Sequence, residues 1–153
     1  EGWANSQIVD ISRQFFAAIP GDPNVRSLHR LRILTKRFRY TLDLLKPILN
    51  SGESRDVVRA LAELQKQLGS LQDHVAAKAQ FQRSLKYLSA PRHKKIVRRL
   101  INQEDARISV RVMQFQLRSD SNACEQLKSC IDAILTLMAV AKLPSAELIP
   151  LID

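Results

Sequence analysis

The sequence predicts an all-α protein, an up-and-down helical bundle of about five helices that forms a single domain over residues 1–153. Three observations favour this fold. Four turn clusters divide the chain, apolar residues recur every three or four positions between them, and no segment alternates β-branched or aromatic residues with polar ones. Since 45% of the residues are hydrophobic and 25% are charged, the chain can bury a core and is not a disordered tail.

The turn clusters set the predicted helix boundaries. They lie at Pro20–Pro23, Asn50–Gly52, Ala90–Pro91 and Ser119–Asn122. The helices between them are predicted at about 6–19, 24–48, 54–89, 92–118 and 122–142. The predicted N-caps are Asn5 or Ser6, Ser54 and Asn122, and Pro47 is expected to close or kink the second helix.

Four of these helices carry an apolar stripe that predicts their buried face. The stripe is clearest on the third helix, where the spacings are 4, 3, 4, 3 and 4: Val57, Leu61, Leu64, Leu68, Leu71 and Val75. The first helix has Ile8, Ile11, Phe15 and Ile19; the second has Leu31, Leu34, Phe38, Leu42 and Leu45 with Leu28 at the margin; the fourth has Val97, Ile101, Ile108, Val112 and Phe115. Short connections between long helices favour antiparallel neighbours.

The charge balance points to a polyanionic partner. The chain has 24 Lys and Arg against 15 Asp and Glu, a formal net charge of +9. A membrane is not expected as a partner, because the longest apolar stretch, 131–143, is short and interrupted by charges. Cys124 and Cys130 are expected as free thiols on different sides of one helix, and the N-terminus lacks the pattern of a signal peptide, so a cytoplasmic location is expected.

The second helix carries an uncompensated cluster of cations. Its polar half holds Arg26, His29, Arg30, Arg32, Lys36, Arg37 and Arg39, and no acidic residue occurs between Asp22 and Asp43. Like charges at these spacings repel, so acidic residues of neighbouring helices or a bound polyanion must offset them. The subset His29, Arg32, Lys36 and Arg39, hereafter the basic row, is spaced 3, 4 and 3 and extends over about 15 Å. Arg pairs bidentately with phosphate, and a row of this length suits a linear chain of phosphates better than one small anion.

Two motifs in this part of the chain resemble those of a known family. The segment LHRLRILTKRFRY at 28–40, followed by Leu42, Asp43, Leu44 and Leu45, closely resembles the signature helix of CHAD domains, the conserved histidine α-helical domains. The pattern L-x-x-L-Q-x-x-L-G-x-L-x-D at 61–73 is similar to their second signature, and together the motifs cover about 24–80. The resemblance implies a non-catalytic helical module that binds inorganic polyphosphate and is often associated with polyphosphate granules.

The resemblance also assigns site residues. His29, Arg32, Lys36, Arg37, Arg39 and Tyr40 fall on signature positions, whereas Arg26 and Arg30 are cations that the motif does not require. In the second motif, Gly69 is expected to permit close helix approach; Asp73 either orients a cation across the helix interface or is an ordinary surface carboxylate. CHAD proteins commonly have two signature-bearing bundles around a basic groove, whereas this chain has one such set. The chain is therefore read as a single-bundle form resembling the C-terminal half, which either binds more weakly or forms a homodimer that rebuilds the groove.

The remaining candidates are weaker. Lys94, Lys95, Arg98 and Arg99, with Arg92, open the fourth helix as either secondary anion contacts or a solvated face. His29, His74 and His93 lack metal-ligand spacing, and the chain has no Gly-rich phosphate loop or nucleophile elbow, so no metal, cofactor or enzymatic activity is expected. A helical nucleic-acid-binding module is the alternative on charge alone, disfavoured by the few aromatic residues; a protein-interaction adaptor is the third interpretation.

Overall fold

The structure is a computed structural model that describes residues 2–47, 52–119 and 123–140. Its five α-helices are α1 Gly2–Ala17, α2 Val25–Leu45, α3 Gly52–Leu85, α4 Pro91–Ser119 and α5 Ala123–Val140. These ranges contain no strand. The all-α prediction and the five predicted helices are therefore confirmed. No described helix combines the length and the apolar character that a membrane crossing requires.

Helix α2 begins at a capping box that the sequence reading missed. The Asn24 side chain accepts hydrogen bonds from the backbone N–H groups of Arg26 and Ser27, both at 3.0 Å, and the Ser27 hydroxyl accepts one from the Asn24 N–H. This reciprocal arrangement satisfies donors that an uncapped first turn leaves free. It fixes the start of the helix that carries the basic row.

Other helix ends differ from the predicted caps. Helices α1 and α3 begin earlier than predicted, so Asn5, Ser6 and Ser54 lie inside them and are not N-caps. Asn122 lies outside the described residues. Helix α2 ends at Leu45, two residues before Pro47, in agreement with the role predicted for that proline.

The core lies among α1, α2, α3 and α5. All six predicted apolar residues of α2 are buried, and Phe15 of α1 packs against Phe38 with ring centroids 5.6 Å apart. Helix α4 packs mainly on α3, so Ile108 is its only fully buried apolar residue in the described part of the chain. The rest of the stripe predicted on α4 is half-buried. The described part of α4 is therefore held by less apolar contact than α2.

Helices α3 and α4 extend past the rest of the bundle. Side chains of α2 and α3 pair in antiparallel order, His29 with Gln72 and Arg39 with Gln65. At 1.5 Å per residue, the 34 residues of α3 span about 51 Å and the 21 residues of α2 about 31 Å. Every residue from 72 to 103 is described, and none is fully buried. Residues 79–103, hereafter the hairpin tip, therefore form a two-helix projection beyond the N-terminus of α2.

Candidate anion-binding site

The cations of α2 occupy two flanks of the helix. The basic row lies beside α3, since two of its members hydrogen-bond there, whereas Arg26, Arg30 and Arg37 lie roughly 120° further round the helix and are exposed. Exposed Ile33 separates the two flanks. The seven basic residues therefore do not form one surface, and the four members of the basic row are the set that α2 presents beside α3.

Two glutamines of α3 hold the ends of the basic row. His29 Nδ1 lies 3.0 Å from Gln72 Oε1, and Arg39 Nε donates to Gln65 Oε1 at 2.9 Å. Gln65 and Gln72 are seven residues apart, close to two turns, so they share one face of α3. Because both acceptors are neutral amides, they orient the basic side chains without cancelling their charge. Sequence reasoning missed this role, although Gln65 stands within the second motif.

Tyr40 joins the C-terminal end of the row. The Arg39 guanidinium carbon lies 4.7 Å from the centroid of the Tyr40 ring, and Lys36 Nζ lies 5.6 Å from it. Both distances are within the range of a cation–π interaction. Arg39 Nη1 also pairs with Asp43 Oδ2 at 3.1 Å, on the same helix. Within the described residues, Asp43 is the only carboxylate that pairs with a member of the row.

The middle of the basic row lies close to the level of Gly69 on α3. A Cβ built on Gly69 would meet no atom within 4 Å, so the close helix approach predicted at this position is wrong. The pairing of α2 with α3 places Gly69 close to the level of Arg32, whose Nε is buried and has no hydrogen-bond partner among the described residues. The terminal N–H groups of Arg32 make no hydrogen bond within the described residues and can donate to the oxygen of an anion.

Asp73 stands apart from this arrangement. It is exposed on α3, and in the part of the chain that the structure describes it makes no ion pair or hydrogen bond to the row. The orienting role expected of it has no contact to support it.

The interface between α3 and α4 has its own charge network. Buried Glu104 accepts a hydrogen bond from His74 Nδ1 at 2.7 Å and a second from Arg107, and Lys78 pairs with Asp105. Burial opposes ionisation of Glu104, but the hydrogen bonds and charges of His74 and Arg107 outweigh it and lower its pKa below the ordinary value of 4.5. The two pairs between the helices, His74 with Glu104 and Lys78 with Asp105, join residues 30 and 27 apart in sequence, so helical periodicity could not reveal them. These carboxylates serve the α3–α4 interface, and neither of them pairs with a member of the row.

The second predicted cluster lies in the hairpin tip. Lys95, Arg98 and Arg99 are exposed and Lys94 is half-buried. No hydrogen bond or ion pair among the described residues connects this cluster to the basic row. Over the same residues, no group of three His, Cys, Asp or Glu side chains converges in a way that could hold a metal ion.

Comparison with known families accounts for the first half of the chain. The family model described as CHAD domain matches residues 5–82. The match includes most of α1, all of α2 and most of α3, and therefore the basic row with both glutamines, but not α4 or α5. Comparisons with curated proteins and with solved structures give no significant match.

Proposed function

The chain belongs to the CHAD domain family, and from this premise we propose that it is a non-catalytic module that binds inorganic polyphosphate along the basic row. One observation carries the proposal most directly. The row presents its cations from one helix whose opposite face is buried, and neutral glutamines orient two of its side chains, so most of its positive charge is free for a ligand. The association of CHAD domains with polyphosphate supplies the class of polyanion.

The geometry of the row fits a linear polymer. Its side chains are distributed over about 15 Å of helix, so successive phosphates of an extended chain can each reach a cation. Arg32 and Arg39 can donate hydrogen bonds to phosphate oxygens through their terminal N–H groups, whereas Lys36 acts as a point charge. Exposed Arg26, Arg30 and Arg37 raise the local positive potential from the other flank. Binding of this kind needs no nucleophile or general base.

A titration of long-chain polyphosphate against salt tests the proposal. The variant H29A/R32A/K36A/R39A removes the row and three full positive charges. A matched control, R13A/R111A/K128A, removes three charges from exposed residues of α1, α4 and α5. We expect the row variant to lose at least about a hundredfold in affinity and to reduce the slope of log affinity against log salt by about three, while the control stays close to wild type. Equal affinity of the row variant and the control would refute the site.

Competition separates polyphosphate from nucleic acid. The exposed aromatic residues Trp3, Tyr40 and Tyr87 lie on α1, on α2 and after α3, and so do not form a row on which bases could stack. We therefore expect polyphosphate to displace duplex and single-stranded nucleic acid at equal phosphate concentration. Preference for nucleic acid would reverse the assignment.

The proposal extends to location and assembly. We place the protein in the cytoplasm, at polyphosphate granules, and expect a second copy to supply the opposite side of the groove. Light scattering with and without polyphosphate measures this directly: a dimer that forms on the polymer agrees with a two-sided groove, and a monomer at saturation contradicts it.

A further inference from the structure

The hairpin tip is a second region of uncompensated charge. No Asp or Glu occurs between Asp73 and Glu104. The tip carries seven Lys and Arg residues: Arg83, Lys86, Arg92, Lys94, Lys95, Arg98 and Arg99. All except half-buried Lys94 are exposed. Among the described residues none of them pairs with a carboxylate, and Arg83 donates a hydrogen bond to the neutral side chain of Gln80 at 2.8 Å.

The carboxylates nearest the tip in sequence are already engaged. Glu104 is paired with His74 and Arg107, and Asp105 is paired with Lys78. These pairs lie at the base of the projection, in the part of the α3–α4 hairpin next to the tip. The charge of the tip is therefore neutralised neither within the tip nor by the acidic residues at its base.

Arg83 connects the tip with the basic row. It follows Gln65 by 18 residues, five complete helical turns, so both residues lie on the same face of α3. That face is the one that meets α2, because Gln65 and Gln72 hydrogen-bond to the row. Arg83 lies 11 residues beyond Gln72 and is therefore about 16 Å further along the helix. Arg83 thus places a cation on the same face of α3, beyond the N-terminus of α2.

The pairing of α3 with α4 places the cations of the tip that lie on α4 level with Arg83. Helices α3 and α4 follow one another through the short turn at 86–90 and run antiparallel. Two contacts fix their register: His74 pairs with Glu104, and Lys78 pairs with Asp105. Continued along the hairpin, this register brings Arg83 level with residues of about 95–100, which include Lys95, Arg98 and Arg99. The neutral residues Ala76 and Gln80 lie on α3 between Gln72 and Arg83 and are exposed, and the nearby acid, Asp73, lies about 80° round the helix from that face.

We infer that the basic row and the hairpin tip form one extended binding track, with Arg83 as the link, and that the protein therefore selects long polyphosphate chains over short ones. The inference depends on the proposed function, because it extends the same site. A chain that occupies the row holds its continuation close to the tip, so the second set of contacts forms at high effective concentration. A chain too short to span the roughly 16 Å from the row to Arg83 gains no such advantage.

The test compares tripolyphosphate with long-chain polyphosphate at equal phosphate concentration on the complete chain. The tip variant R83A/R98A/R99A removes three charges, as does the control R13A/R111A/K128A. We expect the ratio of long-chain to tripolyphosphate affinity to fall about tenfold in the tip variant. The slope of log affinity for the long chain against log salt should fall by about three. The affinity of the tip variant for tripolyphosphate should stay within twofold of wild type. The charge-preserving variant R83K/R98K/R99K should keep most of the preference, which separates loss of charge from loss of folding.

The possible failures are distinct. If the tip variant keeps the full long-chain preference of the control, the extended track is wrong while the basic row stands. If the row variant also binds as tightly as wild type, the proposed function fails. If the tip variant loses affinity for duplex DNA but not for polyphosphate, the tip serves nucleic acid and the inference is overturned.

Discussion

The basic row and the hairpin tip present similar charge on very different supports. Helix α2 holds the row on one side and contributes Leu31, Phe38 and further buried residues to the core on the other. The tip contains no fully buried residue. Core packing limits the positions that the row side chains can adopt, whereas the tip depends on contacts between two helices. The row therefore offers a ligand side chains in defined positions, whereas the tip adds length to the charged surface.

The two regions also differ in their relation to the family. The CHAD match ends at residue 82, immediately before Arg83. The row therefore lies in the part of the chain that the family model describes, and nearly all of the tip does not. Its acid-free run from 74 to 103 is a feature of this sequence.

Truncation of aromatic residues should give the largest difference between the two supports. Phe38 is fully buried behind the row, so Phe38→Ala should lower the free energy of unfolding by about 3–5 kcal/mol. Half-buried Phe81 in the tip fills less core space, and Phe81→Ala should cost roughly half as much or less. Urea denaturation followed by circular dichroism measures both. Equal losses would show that the tip is as tightly packed as the bundle.

Removal of the Glu104 charge should weaken the base of the tip in a pH-dependent way. The pKa of Glu104 is lowered in the folded protein, so its ionised form stabilises the fold above the ordinary value of 4.5, and this stabilisation is lost as the pH falls through the folded-state pKa. Glu104→Gln should therefore lower the urea midpoint at pH 7. In acid, where Glu104 is protonated, the urea midpoints of the variant and the wild type should be equal.

Asp105, a more exposed carboxylate of the same interface, provides a control for this experiment. Half-exposed Asp105 pairs only with Lys78 in the described structure, so Asp105→Asn should have a smaller effect. A constant difference between Glu104→Gln and wild type across the pH range would show that the charge of Glu104 is not responsible.

The local sequence pattern was sufficient to predict the helices, but it could not predict the contacts between them. Spacings of three and four identified the α2 face that is buried, because helical periodicity relates sequence directly to one face. The same periodicity placed Arg26, Arg30 and Arg37 on one polar half with the row, because it contains no information on where α3 lies. The partners of His29 and His74 are 43 and 30 residues away, and only packing could identify them.

Loss of the glutamines should have a moderate effect on the row. Gln65→Ala and Gln72→Ala each remove one hydrogen bond at the α2–α3 interface, about 0.5–1.5 kcal/mol of stability. Because Arg39 and His29 then lose their fixed orientation, we expect polyphosphate affinity to fall about threefold to fivefold in each variant. Gln67→Ala is the matched control, since Gln67 donates to Glu63 on its own helix. An equal loss in the control would argue against orientation by Gln65 and Gln72.

The smallest effect should come from Gly69, and it separates stability from binding. Alanine is a better helix former than glycine in a helix interior, and a Cβ at this position has no neighbour within 4 Å. Gly69→Ala should therefore raise the free energy of unfolding by about 0.5–1 kcal/mol and leave polyphosphate affinity within twofold. Gly69→Glu instead places a carboxylate close to the level of Arg32 and should weaken binding without comparable loss of stability. If Gly69→Ala alone abolished binding, the polymer would contact α3 at Gly69, and the row would bind its ligand more deeply than its exposed members imply.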